Sequence, residues 1–276
     1  MAESYSTDSL PAEDRVDESV INDRTLKYAG IVVSSLFTLV VVGLIGYIVY
    51  AKVSFDLLVT IFPRFVDAYI LVLQIFIAGS VLSVLAGVFV GFMRVSDTFP
   101  TGSVARGYVQ FFRGTPLLFQ IIIVYFGIPA LWTGTFPIQN WELPAAIIAL
   151  TLNHAAYVGE AIRGGIGAVP DGQLEAARSL GMSYTQGMRE VVLPQAWRNA
   201  LAAIGNDQVI LVKDTSLLTV IAVPEIISVF RSVNSATFDP WTPIVLTAVA
   251  YLGITIPLGY VVSRLEDRSD WGGDGR

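Results

Sequence analysis

Few residues in this chain have the types and spacing that chemistry needs, and most of those are charged groups in apolar surroundings. Lys213, Asp214, Thr215 and Ser216 stand together within the hydrophobic region Asn199–Phe230. Charge at membrane depth is costly and normally faces a partner or a water-filled path. Two readings of this group stay open: it lines or gates a translocation route, or its helix begins later and leaves the charges at the surface. Glu160 and Arg163 lie one helical turn apart, which suits mutual neutralisation better than acid–base work. His154, beside Asn153, is the only histidine. Without a second imidazole, a hydrogen-bonded packing role outweighs a proton relay. Glu225 precedes Arg231 by a short apolar stretch and belongs near the outer end of its span, touching an external partner or simply hydrated. Gly79, Ser83 and Gly87 repeat every fourth position, a pattern that suits close helix contact.

Several chemistries are excluded outright. Lys27, Lys52 and Lys213 are followed by Tyr28, Val53 and Asp214, so no Gly-Lys-Ser/Thr phosphate loop exists. Neither a G-x-S-x-G elbow nor an H-E-x-x-H pair is present. Cysteine is absent, which removes disulfides and thiolate-held metals. One histidine makes an imidazole metal site improbable. No catalytic residue, cofactor or metal is therefore expected here, and no basic face invites nucleic acid.

The elements that must carry these residues are membrane helices. Of the 276 residues, 54% are hydrophobic and 14% charged, against about 25% charged in soluble domains. Mean hydropathy is +0.63. A bilayer is crossed by about 20 apolar residues. Runs of that kind cover Tyr28–Ala51, Ala68–Met93, Pro116 to Trp132, Leu143–Arg163, part of Asn199–Phe230, and Trp241–Val262. The chain reads as an all-α, polytopic helical bundle with six transmembrane helices. Six spans place both termini on one side. If that side is the cytoplasm, most lysines and arginines lie inside, leaving Lys52, Arg64 and Arg231 outside, as the positive-inside bias requires. Residues 1–27 form an acidic cytoplasmic tail, 28–51 an N-terminal span, and 265–276 a second acidic tail. The start is acidic and its apolar run comes late, which is unlike a cleavable signal peptide.

Between two apolar regions lies Glu175–Pro194, EAARSLGMSYTQGMREVVLP. Asp171 is a candidate N-cap for a helix beginning at Gly172 and ending at Gly181, a natural left-handed stop. Ser183 and Gln186 fit a capping box. The helix it opens carries Tyr184, Met188, Val191 and Val192 on one face. Pro194 is expected to hold Leu193 out of helical geometry and close the unit. Two short helices joined by a fixed turn would thus stand in water on the cytoplasmic side.

This stretch resembles the EAA loop of ABC-transporter permeases, with Glu175, Ala176, Ala177, Gly181, Val191, Leu193 and Pro194 at matching spacing. The segments FRGTPLLFQ (112–120), NHAAYVGEAIRGGIGAVPDGQLEAARSLG (153–181) and KDTSLLTVIAVPEI (213–226) are similar to the polar amino-acid permeases of that superfamily, the His-Glu-Gln-Arg-opine group. The resemblance covers 66–264 and leaves the N-terminal span as an addition to a family core that commonly has five. It implies a type I ABC importer permease whose EAA loop, 171–195, docks into a separate ABC ATP-binding subunit that holds ATP and Mg. Glu175, Ala176, Ala177, Gly181, Leu193 and Pro194 would be the coupling residues. It further implies a second permease chain, identical or paralogous, and an extracytoplasmic substrate-binding protein. A polar amino acid would then cross the cell membrane by alternating access. The rival readings are an ion-coupled secondary carrier using Lys213 and Asp214, an intramembrane enzyme using Glu160, His154 or Asp214, and an inert scaffold.

Overall fold

The computed structural model describes residues 23–96 and 98–269. The acidic N-terminal segment 1–22 and residues 270–276 of the second tail lie outside the described residues. The chain divides into two units, Met1–Val53 and Ser54–Arg276. The described part of the first is a single helix, α1 (Asp23–Lys52), with apolar, exposed side chains.

The second unit is all-helical among the described residues. Its first helix, α2 (Phe55–Val95), is 41 residues long and starts where the Ser54 side chain accepts from the Leu57 N–H. After it come α3 (Thr101–Gly114), α4 (Leu117–Ile122), a π-helical turn at Ile123–Gly127 and the short α5 (Ile128–Ala130). The axis bends by 106° between α3 and the α4–α5 segment. Thr115 and Pro116 are extended at that bend, since Pro116 keeps the residue before it out of the helical region. Pro129 has no N–H to give to the Tyr125 carbonyl, and the Trp141 indole donates to that carbonyl instead at 3.0 Å.

The centre of the unit is α6 (Glu142–Gly167), which packs most extensively on α2. Gly79, Ser83, Gly87 and Gly91 are all buried on the α2 face. A methyl group on Gly87 would lie 2.4 Å from Val158 Cβ, and one on Gly159 would lie 2.7 Å from Val90 Cγ1. The two helices thus interlock through reciprocal glycines. Beyond α6 come α7 (Asp171–Ser179), α8 (Tyr184–Gly187), a second π-helical turn at Met188–Val192, and α9 (Leu193–Asp214). A 3-10 segment, Thr215–Ile221, then leads through left-handed Ala222 to α10 (Ile226–Thr237). The last helix is α11 (Trp241–Ser269), so residues 265–269 of the expected tail are helical.

The two largest of four buried clusters among the described residues lie at the heart of this unit. Ile75, Ile121, Leu150, Leu218 and Ile221 form one, and Phe65, Val72, Val212, Ile226 and Ile254 the other. Among the described residues, four helices are long and apolar enough to cross a membrane, or up to six if each of two bent pairs is one span. The expected fifth span is one of those pairs, bent by 50° at the break before α10.

Three local expectations need correction. Asp171 is the first helical residue and not the cap, because Pro170 takes the N-cap position without a side-chain bond. Pro194 does not end the loop: Leu193 is helical, with φ −61 and ψ −38. The π-helical turn just before Pro194 widens the helix where the proline ring would otherwise strike a carbonyl, and the chain continues straight into α9. Glu225 is neither hydrated nor free for an external partner. It is fully buried and caps α10 by accepting from the Ile227 and Ser228 N–H groups, each at 2.7 Å.

Candidate functional site: the polar loop and the charged wall above it

The loop is built from its caps outward. At the end of α7 the Gly181 N–H donates to the Arg178 carbonyl and the Met182 N–H to the Ala177 carbonyl. This is the paired bonding of a Schellman stop. It needs the left-handed φ of +88 that Gly181 adopts. The capping box then forms with both of its bonds: Ser183 Oγ accepts from the Gln186 N–H, and Gln186 Oε1 accepts from the Ser183 N–H. Ala177 is buried against Gly187, while Glu175, Ala176, Leu180 and Tyr184 are exposed. The result is a stiff elbow whose tip presents an exposed leucine and tyrosine. Pro194 is exposed in part and Leu193 half-buried, both forming the start of α9.

From that elbow α9 runs back into the apolar unit and brings acids to α6. Asp207 Oδ1 lies 3.0 Å from His154 Nδ1, and Asp214 Oδ2 lies 3.4 Å from His154 Nε2. The imidazole is 1% exposed. Asp207 and Asp214 are seven residues apart, two helical turns, and so face the same neighbour. One residue earlier on α6, Asn153 donates to Gln120 Oε1 at 2.9 Å and to the Phe112 carbonyl at 3.3 Å. Gln120 in turn donates to the Phe112 and Thr115 carbonyls. The FRGTP segment is thereby tied to α6 by side-chain amides.

Closer to the loop end, Glu160 is shared by three guanidinium groups. Arg163 bonds Oε1 twice, at 2.9 and 2.7 Å. Arg94 bonds Oε2 at 3.0 Å, and Arg113 lies 3.9 Å from Oε1. The expected i,i+3 pair is present, within a larger cluster.

Of the four residues expected at a pathway or gate, Lys213 is exposed and Asp214 reaches His154. Ser216 is half-buried. Thr215 is fully buried and gives its hydroxyl to the Val212 carbonyl at 2.7 Å, so its side chain offers no contact at the surface. Sequence reasoning missed Asp207, Gln120 and Arg94. An acid two turns before Asp214 in an apolar helix was the available signal for Asp207. Nothing local marks Gln120 or Arg94.

The comparisons agree with this architecture. Residues 83–270 match the model of the family described as binding-protein-dependent transport system inner membrane component. The arginine transport system permease protein ArtQ of Bacillus subtilis is 34% identical over 204 residues, covering 74% of this chain and 91% of that protein. The nopaline transport system permease protein NocM of Agrobacterium fabrum is 36% identical over 225 residues, covering 78% and 90%. A solved structure titled as an amino acid ABC transporter with histidines superposes with a TM-score of 0.72 at 34% identity, over 79% of this chain and 99% of that one. The MetNI methionine ABC transporter, at 15% identity and a TM-score of 0.62, shares the fold. With an all-helical apolar unit, a capped polar elbow at one end and relatives matched along nearly their whole length, the chain belongs to the family of inner-membrane components of binding-protein-dependent transport systems.

Proposed function

We propose that this chain is the permease subunit of an ATP-driven importer for a polar amino acid. The observation that carries the reading is the elbow: two capped helices, fixed by Gly181 and Ser183, exposed at one end of a unit whose sequence contains no Gly-Lys-Ser/Thr phosphate loop. A rigid polar projection of that kind suits the cleft of a separate ATP-binding subunit. Glu175, Ala176, Ala177 and Gly181 are the coupling residues, Ala177 by packing the two helices together at Gly187 and the others by docking, with Leu193 and Pro194 joining them to α9. A second permease chain completes the pathway, an external binding protein delivers the substrate, and both termini are cytoplasmic. Lys213, Asp214 and Ser216 belong to the pathway wall, with Thr215 shaping the helix break behind them. The relatives named for arginine and nopaline support a polar, charged amino-acid cargo.

The test is purification of the full chain from gently solubilised membranes, followed by reconstitution with the subunits that accompany it. Wild type is expected to retain an ATP-hydrolysing subunit. Gly181→Val should insert normally yet lower ATP-coupled uptake by about ten-fold or more, the scale of a typical coupling free energy. Recovery of the chain alone, or undiminished uptake by the variant, would contradict the assignment. Uptake by the chain alone under an ion gradient would favour a secondary carrier.

A further inference from the structure

At the loop end of the second unit, α2, α3 and α6 border an open cavity of about 520 Å³. Arg94, Arg106 and Arg113 line it, with Gln110, Tyr157 and Glu160. Its charge is unbalanced. Glu160 is the only acid in the lining, and both its oxygens are engaged: Oε2 by Arg94, Oε1 by Arg163 with Arg113 nearby. Arg106 has no carboxylate partner among the described residues and bonds only Ser103 Oγ, at 2.8 Å. The Nε of Arg94 is buried and has no acceptor among the described residues. Arg113 lies over the Tyr157 ring, its guanidinium carbon 5.3 Å from the centroid, which fixes the plane of its donors.

Such a cavity offers donors and no free acceptor of matching charge. A zwitterionic amino acid would find charged partners for its carboxylate and only the neutral oxygens of Gln110 and Tyr157 for its ammonium group. A phosphate-type anion needs only donors, and guanidinium forks match its oxygens two at a time. The surroundings suit a lipid in particular. The helix α3 turns by 106° from the α4–α5 segment and exposes Val104 and Phe111 on the face turned away from Arg106, as suits a helix with one apolar and one basic side. Basic pockets between membrane helices are places where anionic headgroups lodge. We propose that this cavity is a binding site for a phosphate-bearing anion, supplied by the headgroup of an anionic membrane lipid or by solution.

The site is tested on the full chain, with whatever subunits co-purify, in nanodiscs. One arm compares phosphatidylcholine discs with discs containing phosphatidylglycerol. The other adds inorganic phosphate to the phosphatidylcholine discs. Thermal stability and lipid retained after transfer to detergent are the readouts. The expected result is higher stability and retained phosphatidylglycerol in wild type. Arg106→Gln should cut retention about five-fold, the scale of one basic residue acting on an anionic lipid. Arg106→Lys should recover part of it. Arg106 is exposed and makes no inter-helix bond, so the substitution leaves the fold intact. A response to inorganic phosphate that equals the lipid effect assigns the site to a soluble anion. Failure of both probes overturns the proposal, as does equal loss in Arg231→Gln, which alters an exposed arginine outside this cavity. Neither readout involves transport, so the outcome is independent of the import reading.

Discussion

Glu225 shows how much one buried carboxylate can hold. It accepts from two N–H groups at the start of α10 and lies 3.2 Å from the Tyr251 hydroxyl of α11. Glu225→Ala removes all three partners at once and is expected to destabilise the protein by about 2 kcal/mol, the upper end for a lost cap. Denaturant titration of the solubilised chain would measure it, and Glu225→Gln should recover part of the loss through its remaining carbonyl. The His154 bracket behaves differently, since its members depend on one another. His154→Ala leaves buried Asp207 with only the 3.3 Å bond from Gln208 Nε2 and should cost about 3 kcal/mol. Adding Asp207→Asn should then cost less than the sum of the two single changes. Additive losses in a double-mutant cycle would mean that the 3.0 Å contact contributes nothing. Sequence alone gave His154 a packing role but could not name its partners. Those lie on α9, and contacts between helices distant in the chain leave no local pattern.

Elements were more legible than contacts, and the reason is periodicity. The capping box at Ser183 and Gln186 and the left-handed stop at Gly181 depend on neighbours within a few residues, so they could be read directly. The fate of Pro194 depended on whether the helix could widen just before it, which single-residue preferences do not encode. The repeat at Gly79, Ser83 and Gly87 also read correctly as a close-packing face, although its partner did not. That face makes a sharp prediction. Gly87→Ala pushes a methyl group to 2.4 Å from Val158 Cβ, too near the backbone to be relieved by a rotamer change. It should destabilise by about 1–3 kcal/mol, as overpacking does. Gly107→Ala, within α3 and with open space around it, should instead be neutral or stabilising by up to about 1 kcal/mol. Thermal unfolding of the two variants side by side checks both signs.

At the scale of the molecule, every buried cluster lies at or beyond Ile61. A chain beginning at Ser54 is therefore expected to keep the helicity of the second unit, which circular dichroism of the solubilised protein would measure. Four of the six expected spans, the first, second, fourth and sixth, return as single apolar helices among the described residues, because twenty apolar residues leave few alternatives. The two sharp bends were not legible, since Pro116 and Pro224 signal a break without its angle. The continuity across Pro194 has a mechanical meaning. From Tyr184 to Asp214 the chain is one uninterrupted helical rod, with the elbow at one end and Asp207 roughly 35 Å along it at 1.5 Å per residue. A tilt of about five degrees at the elbow would swing Asp207 through about 3 Å over that length, the size of its whole contact with His154. A hydrogen bond has no reach beyond that distance. The bracket around His154 is thus a latch at the far end of a moment arm, and small rotations at the elbow become an open-or-shut event in the interior.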